Sequence, residues 1–277
     1  MMPQVILTRP KGRNGALART LERHGYPVLD APALQIETLD AVRPVARCGD
    51  VLVFVSRQAV EAYFRGPGTA DGSGADTLSP FHPDRSTWPE GAWAAAVGSA
   101  TAQALEAFVP KNQILAPSSE QAPDSEALLA AWDARGLPPA QAHILRATEG
   151  RQWLADQLSQ RGWQVQCHAL YRRLACLWDL ATCQDLSAGP ATILLLTSGQ
   201  ALAAIESSLV HHQLPWPRRL GVVSLHERIV RRLQCRYAAQ ADMHLHVTLS
   251  SPQEAALFQA IVAASDCFPE GSERRHE

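Results

Sequence analysis

A chain of 277 residues, 46% of them hydrophobic, is long enough to bury two modest cores. Its formal net charge of −2 leaves no electrostatic footprint for a nucleic-acid partner, and no apolar run approaches the length of a membrane span. Cys48, Cys167, Cys176, Cys183, Cys235 and Cys267 form no CxxC pair and several fall in apolar or helical patterns, so buried reduced thiols are expected rather than disulfides or a metal site. Met1-Met2-Pro3-Gln4 runs straight into an apolar segment without a basic leader, which points to the cytoplasm.

In chain order, an apolar strand at residues 5–7 ends at Thr8-Arg9-Pro10, Gly12-Arg13 opens a helical pattern that Gly25 closes, and a second strand follows. Residues 37–44 are polar and end in a proline, as a linker would. Residues 50–55 (DVLVFV) read as a buried parallel strand that breaks at Ser56-Arg57-Gln58 before a helix. Residues 65–91, dense in Gly, Pro, Ser and Asp without periodicity, are expected to be a flexible loop. A short strand at 94–97 turns at Gly98-Ser99-Ala100-Thr101 into a helix, where Gly98 admits a close backbone approach and Thr101 offers a hydroxyl. Another helix starts at Ser125 and ends at Gly136-Leu137-Pro138.

The stretch 144–173 (ILRATEGRQWLADQLSQRGWQVQCHALYRR) then repeats the opening of the chain. A strand ends at Arg146-Ala147-Thr148, Gly150-Arg151 opens a helix carrying Trp153, Leu154 and Leu158, and Gly162 stands where a left-handed C-terminal cap belongs. Trp163, Val165, Cys167 and Ala169 alternate as a strand does and lead to Tyr171. The strand at 192–196 ends at Thr197-Ser198-Gly199-Gln200, which matches the earlier turn at Ser56: both place a Ser, and two residues on a Gln, where strand becomes helix. The strand at 220–223 turns through Ser224-Leu225-His226-Glu227, a helix over 252–263 closes the pattern, and 266–277 form a frayed tail. The chain is built twice from α/β units, whose ligands meet the carboxyl ends of the strands. Hydroxyls and N–H groups at such helix starts suit an anion, and Ser56 and Ser198 suit plain helix capping equally well. Local pattern alone divides the chain contiguously near 140.

Taken in order, these pieces resemble uroporphyrinogen-III synthase. The resemblance is carried by LTRP at 7–10, SRQAV at 56–60, AAVGSATAQAL at 95–105, SEALL at 125–129, ILRATEGRQWLADQL at 144–158, LYRR at 170–173 and TSGQAL at 197–202. Each is short, and their order and spacing make the match. The chain departs from the family at 224–228, where Gly-x-x-Thr-Ala is common and Glu227 stands near the expected threonine. The resemblance implies two similar α/β domains, each a parallel sheet flanked by helices, joined by a two-segment linker with a cleft between. Domain 1 would comprise 1–36 plus 174–265 and domain 2 residues 45–167, with linkers at 37–44 and 168–173.

It implies, further, that a linear tetrapyrrole bearing many carboxylates, hydroxymethylbilane, loses water and closes with inversion of ring D through a spiro intermediate. No cofactor or metal is expected, in keeping with a sequence that has no metal-ligand cluster, GxGxxG or P-loop. The chain would act as a monomer. Tyr171 is the expected general acid for the departing hydroxyl; a phenol is a weak acid, so its loss should slow the reaction without abolishing it. Thr8, Arg9, Ser56, Thr101, Arg146, Arg151, Thr197, Ser198 and His226 are the expected substrate contacts, with the arginines as carboxylate forks. Arg13, Arg172 and Arg173 suit solvated positions. The alternative from another class is a non-catalytic two-lobed module that binds an anionic ligand. A sugar or nucleotide transferase would need a phosphate or metal site the sequence lacks.

Overall fold

A computed structural model describes residues 2–65, 88–118, 124–188, 191–237 and 244–268. The chain divides into two compact units, Met1–Ile36 with Leu174–Glu277, and Glu37–Arg173. The residues expected as linkers, 37–44 and 168–173, are grouped with the second unit. Of the expected loop 65–91, residues 66–87 lie outside the described residues, as do 269–277 of the expected tail.

The first unit holds a five-stranded sheet of β1 (Gln4–Leu7), β2 (Val28–Asp30), β9 (Thr192–Leu196), β10 (Arg219–Ser224) and β11 (His244–Leu249), in the order β11-β10-β9-β1-β2. All its pairings are parallel. The apolar runs of β1 and β9 are continuous because both faces are covered. Ile6, Leu194, Leu196 and Val222 pack on one side with Leu202 and Ile205 of α7 (Gly199–His211) and Ile229 and Leu233 of α8 (Glu227–Tyr237). Val5, Leu7, Ile193, Leu195 and Val223 pack on the other with Leu17 and Leu21 of α1 (Gly15–Arg23) and Leu257 and Ile261 of α9 (Glu254–Ser265). The chain leaves β1 for β2 on one side and returns for β9 on the other, so the connections reverse between β1 and β9.

The second unit repeats the plan in a six-stranded sheet, ordered β3 (Leu34–Thr38), β8 (Gln164–Ala175), β7 (Gln141–Ala147), β4 (Val51–Phe54), β5 (Trp93–Ala96), β6 (Ile114–Leu115). From β8 to β6 the strands are parallel. Here the reversal falls between β4 and β7. Helices α2 (Arg57–Arg65), α3 (Ser99–Leu105), α4 (Ser125–Arg135) and α5 (Trp153–Gln160) flank it, and α6 (Leu180–Ala188) belongs to the first unit. β3, β6, β11 and α6 are unforeseen by the periodicity. Gly25 and Gly162 take φ of 83° and 85° just past α1 and α5, the left-handed stops expected of them. Both helices begin three residues after the Gly-Arg pairs open, at Gly15 and Trp153.

The six cysteines are free, but only Cys183 is buried; Cys48, Cys167, Cys235 and Cys267 are exposed and Cys176 is intermediate. The expectation of buried thiols is corrected for all but one. Alternation says which face a side chain takes and not whether a helix covers that face.

His143 on β7 and His168 on β8 are hydrogen-bonded at 3.1 Å between Nδ1 and Nε2. Burial pulls both imidazoles below their ordinary value; Asp50 opposes this at His143, and His143 reinforces it at His168. An imidazole held neutral contributes stability above the unfolded value of about 6.5 and loses it as pH falls through the lower folded value, because the unfolded chain then binds the extra proton. The melting temperature should therefore fall as pH drops from about 7 toward about 5, and His168→Gln should flatten that dependence. Parallel curves for the two proteins would dismiss the pair as its source.

Candidate active site

The expected substrate contacts stand at the carboxyl end of a parallel strand within their own unit or in the turn that follows, and Tyr171 lies within β8 where its parallel pairing with β7 stops. In the second unit the connections reverse between β4 and β7, the kind of point at which α/β ligands sit. Ser56 follows β4 there, and Tyr171 reaches it from β8.

A bulge sets Tyr171. Along β7 and β8, Arg146 pairs with Ala169 but Ala147 with Tyr171, so Leu170 is an extra residue in β8. Its carbonyl accepts from Leu39 N at 2.9 Å, while the Tyr171 carbonyl accepts from Thr148 N at 3.0 Å. Bulges re-aim a side chain and concentrate beside functional sites. Leu170 and Tyr171 are consecutive yet both 1% exposed, which a regular half-covered strand does not give. The Tyr171 hydroxyl lies 2.9 Å from Ser56 Oγ, and the Arg173 guanidinium lies over its ring, 5.7 Å from the centroid. Ser56 Oγ also accepts from Ala59 N at 3.2 Å, capping α2. The two readings of Ser56, cap and polar site group, are therefore met by one oxygen.

Arg146 and Arg151 occupy the loop between β7 and α5, with different fates. The Arg146 guanidinium folds back: Nη1 donates to Gln152 Oε1 at 2.7 Å and Arg151 O at 3.2 Å, and Nη2 to Gly150 O at 3.0 Å. It is a clasp on its own loop. Arg151 is exposed. A Cβ at Gly150 would lie 3.2 Å from Arg146 Nε and 3.3 Å from Cζ, so the guanidinium would have to give by a few tenths of an ångström. Gly150→Ala should push the clasp aside and cost about 1 kcal/mol, read as a melting-temperature loss of roughly 2–4 °C. An unchanged melt would show that the clasp contributes nothing. Thr101 lies in the first turn of α3 and is buried, 6% exposed; the N-cap of that helix, Gly98, is extended, a conformation open to any residue.

In the first unit, Thr8 follows β1 at the reversal but is fully buried, and its hydroxyl donates to Leu195 O at 2.6 Å. That bond ties β1 to β9 and occupies the group expected to face a ligand. Arg9 is half-buried. Its Nε donates to Asn14 Oδ1 at 3.0 Å; its Nη2 is buried, has no hydrogen-bond partner among the described residues, and lies 3.8 Å from Glu254 Oε1. Burial lowers the Arg9 pKa and Arg13 adds to this, while Glu254 and Asp30 oppose it. Ser198 Oγ accepts from Ala201 N at 3.1 Å as the cap of α7, the counterpart of Ser56. Thr197 is partly exposed, and His226 is exposed in the turn before α8.

Asn14 was not among the expected residues. It is fully buried, and its Nδ2 lies 3.3 Å from Leu7 O, 3.2 Å from Arg9 O and 2.5 Å from Asp30 Oδ1. It thus fixes the backbone after β1 and the plane of Arg9 at once. The signal available was Gly12-Arg13-Asn14-Gly15, which reads as a turn. Arg172, expected in solvent, forks onto Glu37 at 3.0 and 2.8 Å, in an exposed pair. No cluster of three or more His, Cys, Asp or Glu side chains suits a metal among the described residues.

The family model described as Uroporphyrinogen-III synthase HemD matches residues 15–259. The chain belongs to the uroporphyrinogen-III synthase family. A family relative, the uroporphyrinogen-III synthase of Escherichia coli K12, is 26% identical over 235 residues, covering 82% of this chain and 89% of its own. The fold is that of uroporphyrinogen-III synthetase from Helicobacter pylori 26695, with a TM-score of 0.57 at 15% identity over 95% of this chain and 99% of that one. A mutant uroporphyrinogen III synthase from the extremely thermophilic bacterium Thermus thermophilus has a TM-score of 0.51 at 14% identity over 96% and 99%. No helix among the described residues is long and apolar enough to cross a membrane.

Proposed function

We propose that the protein is a uroporphyrinogen-III synthase that closes hydroxymethylbilane with loss of water and inversion of ring D. Family membership over residues 15–259 carries this reading. The pyrrole bearing the hydroxymethyl group expels its hydroxyl, and Tyr171 donates a proton to that oxygen as it leaves. The resulting cation is attacked by the substituted carbon of ring D, and the spiro intermediate fragments and recloses as the type III isomer. Unassisted closure gives the symmetrical type I isomer, so the main task of the protein is to hold ring D where attack at the substituted carbon wins.

Arg151, Thr197 and His226, exposed or partly so, together with the guanidinium of Arg9 and the helix-start amides after Ser198, receive substrate carboxylates. Arg146 and Thr8 shape the loops that present them, and Thr101 the turn after β5. The protein works as a cytoplasmic monomer without a nucleic-acid partner, in keeping with its charge of −2. Nothing found favours the binding-module alternative. The test is a coupled assay in which hydroxymethylbilane is generated in situ, the purified protein is added, and the products are oxidised and separated by isomer. Mainly type III product is expected; only type I from intact folded protein would overturn the assignment.

A further inference from the structure

We propose that Ser56 acts through Tyr171: it donates its hydroxyl proton to the phenol oxygen, and so leaves the phenol proton directed at the substrate hydroxyl that departs. The inference rests on the proposed role of Tyr171 and adds the residue that makes the phenol a donor. Ser56 and Tyr171 bring two hydroxyl protons to a single O···O contact of 2.9 Å, and either oxygen can be the donor. Ser56 is the only hydrogen-bond partner of the Tyr171 hydroxyl among the described residues, and the Ser56 oxygen has just one further partner, the Ala59 N–H at 3.2 Å, which is itself a donor. Whichever way the contact runs, one hydroxyl proton has no acceptor among the described residues.

The chemistry of the two groups decides which one. Ser56 Oγ already accepts the Ala59 N–H at the positive end of α2, a proton shared with Ser56 O at 3.0 Å, and this polarises the Ser56 O–H toward donating. The chain of donors then runs from Ala59 N–H through Ser56 O–H to the Tyr171 oxygen. The free proton is then the phenol's. When the substrate C–O bond breaks, its electron pair goes to oxygen, the phenol proton joins that oxygen and water leaves. The phenolate left behind keeps the Ser56 hydrogen bond, and the proton released when the macrocycle closes restores it. The Ser56 bond strengthens as its acceptor gains charge, so it lowers the barrier rather than tightening substrate binding.

Kinetics of Ser56→Ala, Ser56→Thr, Ser56→Asp and Tyr171→Phe on hydroxymethylbilane generated in situ test the idea, with each melting curve taken alongside. Ser56→Ala should lower kcat by roughly tenfold to a hundredfold with KM nearly unchanged, and Ser56→Thr should restore most of it. Ser56→Asp keeps a side chain that caps α2 yet has no proton to give, so it captures the phenol proton. It should fold and be at least as slow as Ser56→Ala. In a Tyr171→Phe background the Ser56→Ala change should cost nothing more. A raised KM with kcat intact, or full activity in Ser56→Asp, would overturn the proposal while leaving Tyr171 as the acid. Full activity in Tyr171→Phe would remove the acid itself and the proposal with it.

Discussion

Tyr171→Phe is expected to lower kcat about a hundredfold, the low end of what a positioned general acid contributes, equivalent to about 3 kcal/mol of barrier. The variant should fold, because the change removes one oxygen from a side chain whose ring stays in its 1%-exposed site, and Ser56 retains its cap on Ala59 N. The loss is limited because the electron-rich pyrrole expels its hydroxyl unaided and because the substituted carbon of ring D is still held in place. A second readout follows from the same argument. Unassisted closure to type I proceeds at its own rate, so slowing the catalysed route lets it take a larger share of the product. The type III fraction should therefore fall at low concentrations of the variant and recover as more is added. An unchanged kcat would leave Tyr171 as a plug of the β7–β8 bulge and nothing more.

The strands were legible because both faces of each sheet are covered, which turns residues 51–54 and 192–196 into unbroken apolar runs between turn residues. Stops at Gly25 and Gly162 were legible because only a residue without a Cβ takes those φ values at no steric cost. What joins the runs was not. The Thr8 hydroxyl meets Leu195 O across 187 residues, and no local pattern states that β1 pairs with β9. Periodicity therefore cuts the chain near 140, whereas the units divide at 36/37 and 173/174.

The candidate site was legible by residue type and by strand end, but not by what each donor is spent on. Arg146 and Arg151 look alike in sequence, and only the side-chain torsions of Arg146 fold its guanidinium onto Gly150, Arg151 and Gln152. Ser56 reads as an anion ligand or as a cap until the bulge at Leu170 brings a phenol to the same oxygen. The first is decided by rotamers within one loop and the second by a partner 115 residues away, and residue type states neither.

Asn14→Ala is expected to destabilise the first unit by about 3 kcal/mol, lowering its melting temperature by roughly 6–12 °C. The figure is large for a polar residue because of what the change leaves behind. Arg9 Nε loses its acceptor beside an Nη2 that has no partner among the described residues, whereas Leu7 O keeps Ala31 N at 3.0 Å and the exposed Asp30 carboxylate is left to solvent. A buried polar group left unsatisfied costs its full desolvation, and more where it carries charge. Asn14→Asp separates shape from hydrogen bonding. It preserves the volume and an oxygen for Arg9, but it puts a second carboxylate 2.5 Å from where Asp30 Oδ1 meets the amide. If the amide protons are what matter, Asp should do no better than Ala; if filling the space is enough, Asp should melt near the unmutated protein. Freed of the oxygen that orients it, Arg9 should also lose its grip on a substrate carboxylate, so Asn14→Ala should raise KM while the surviving folded enzyme keeps its kcat. A lowered kcat at constant KM would place the Arg9 cluster in the chemistry instead of in binding.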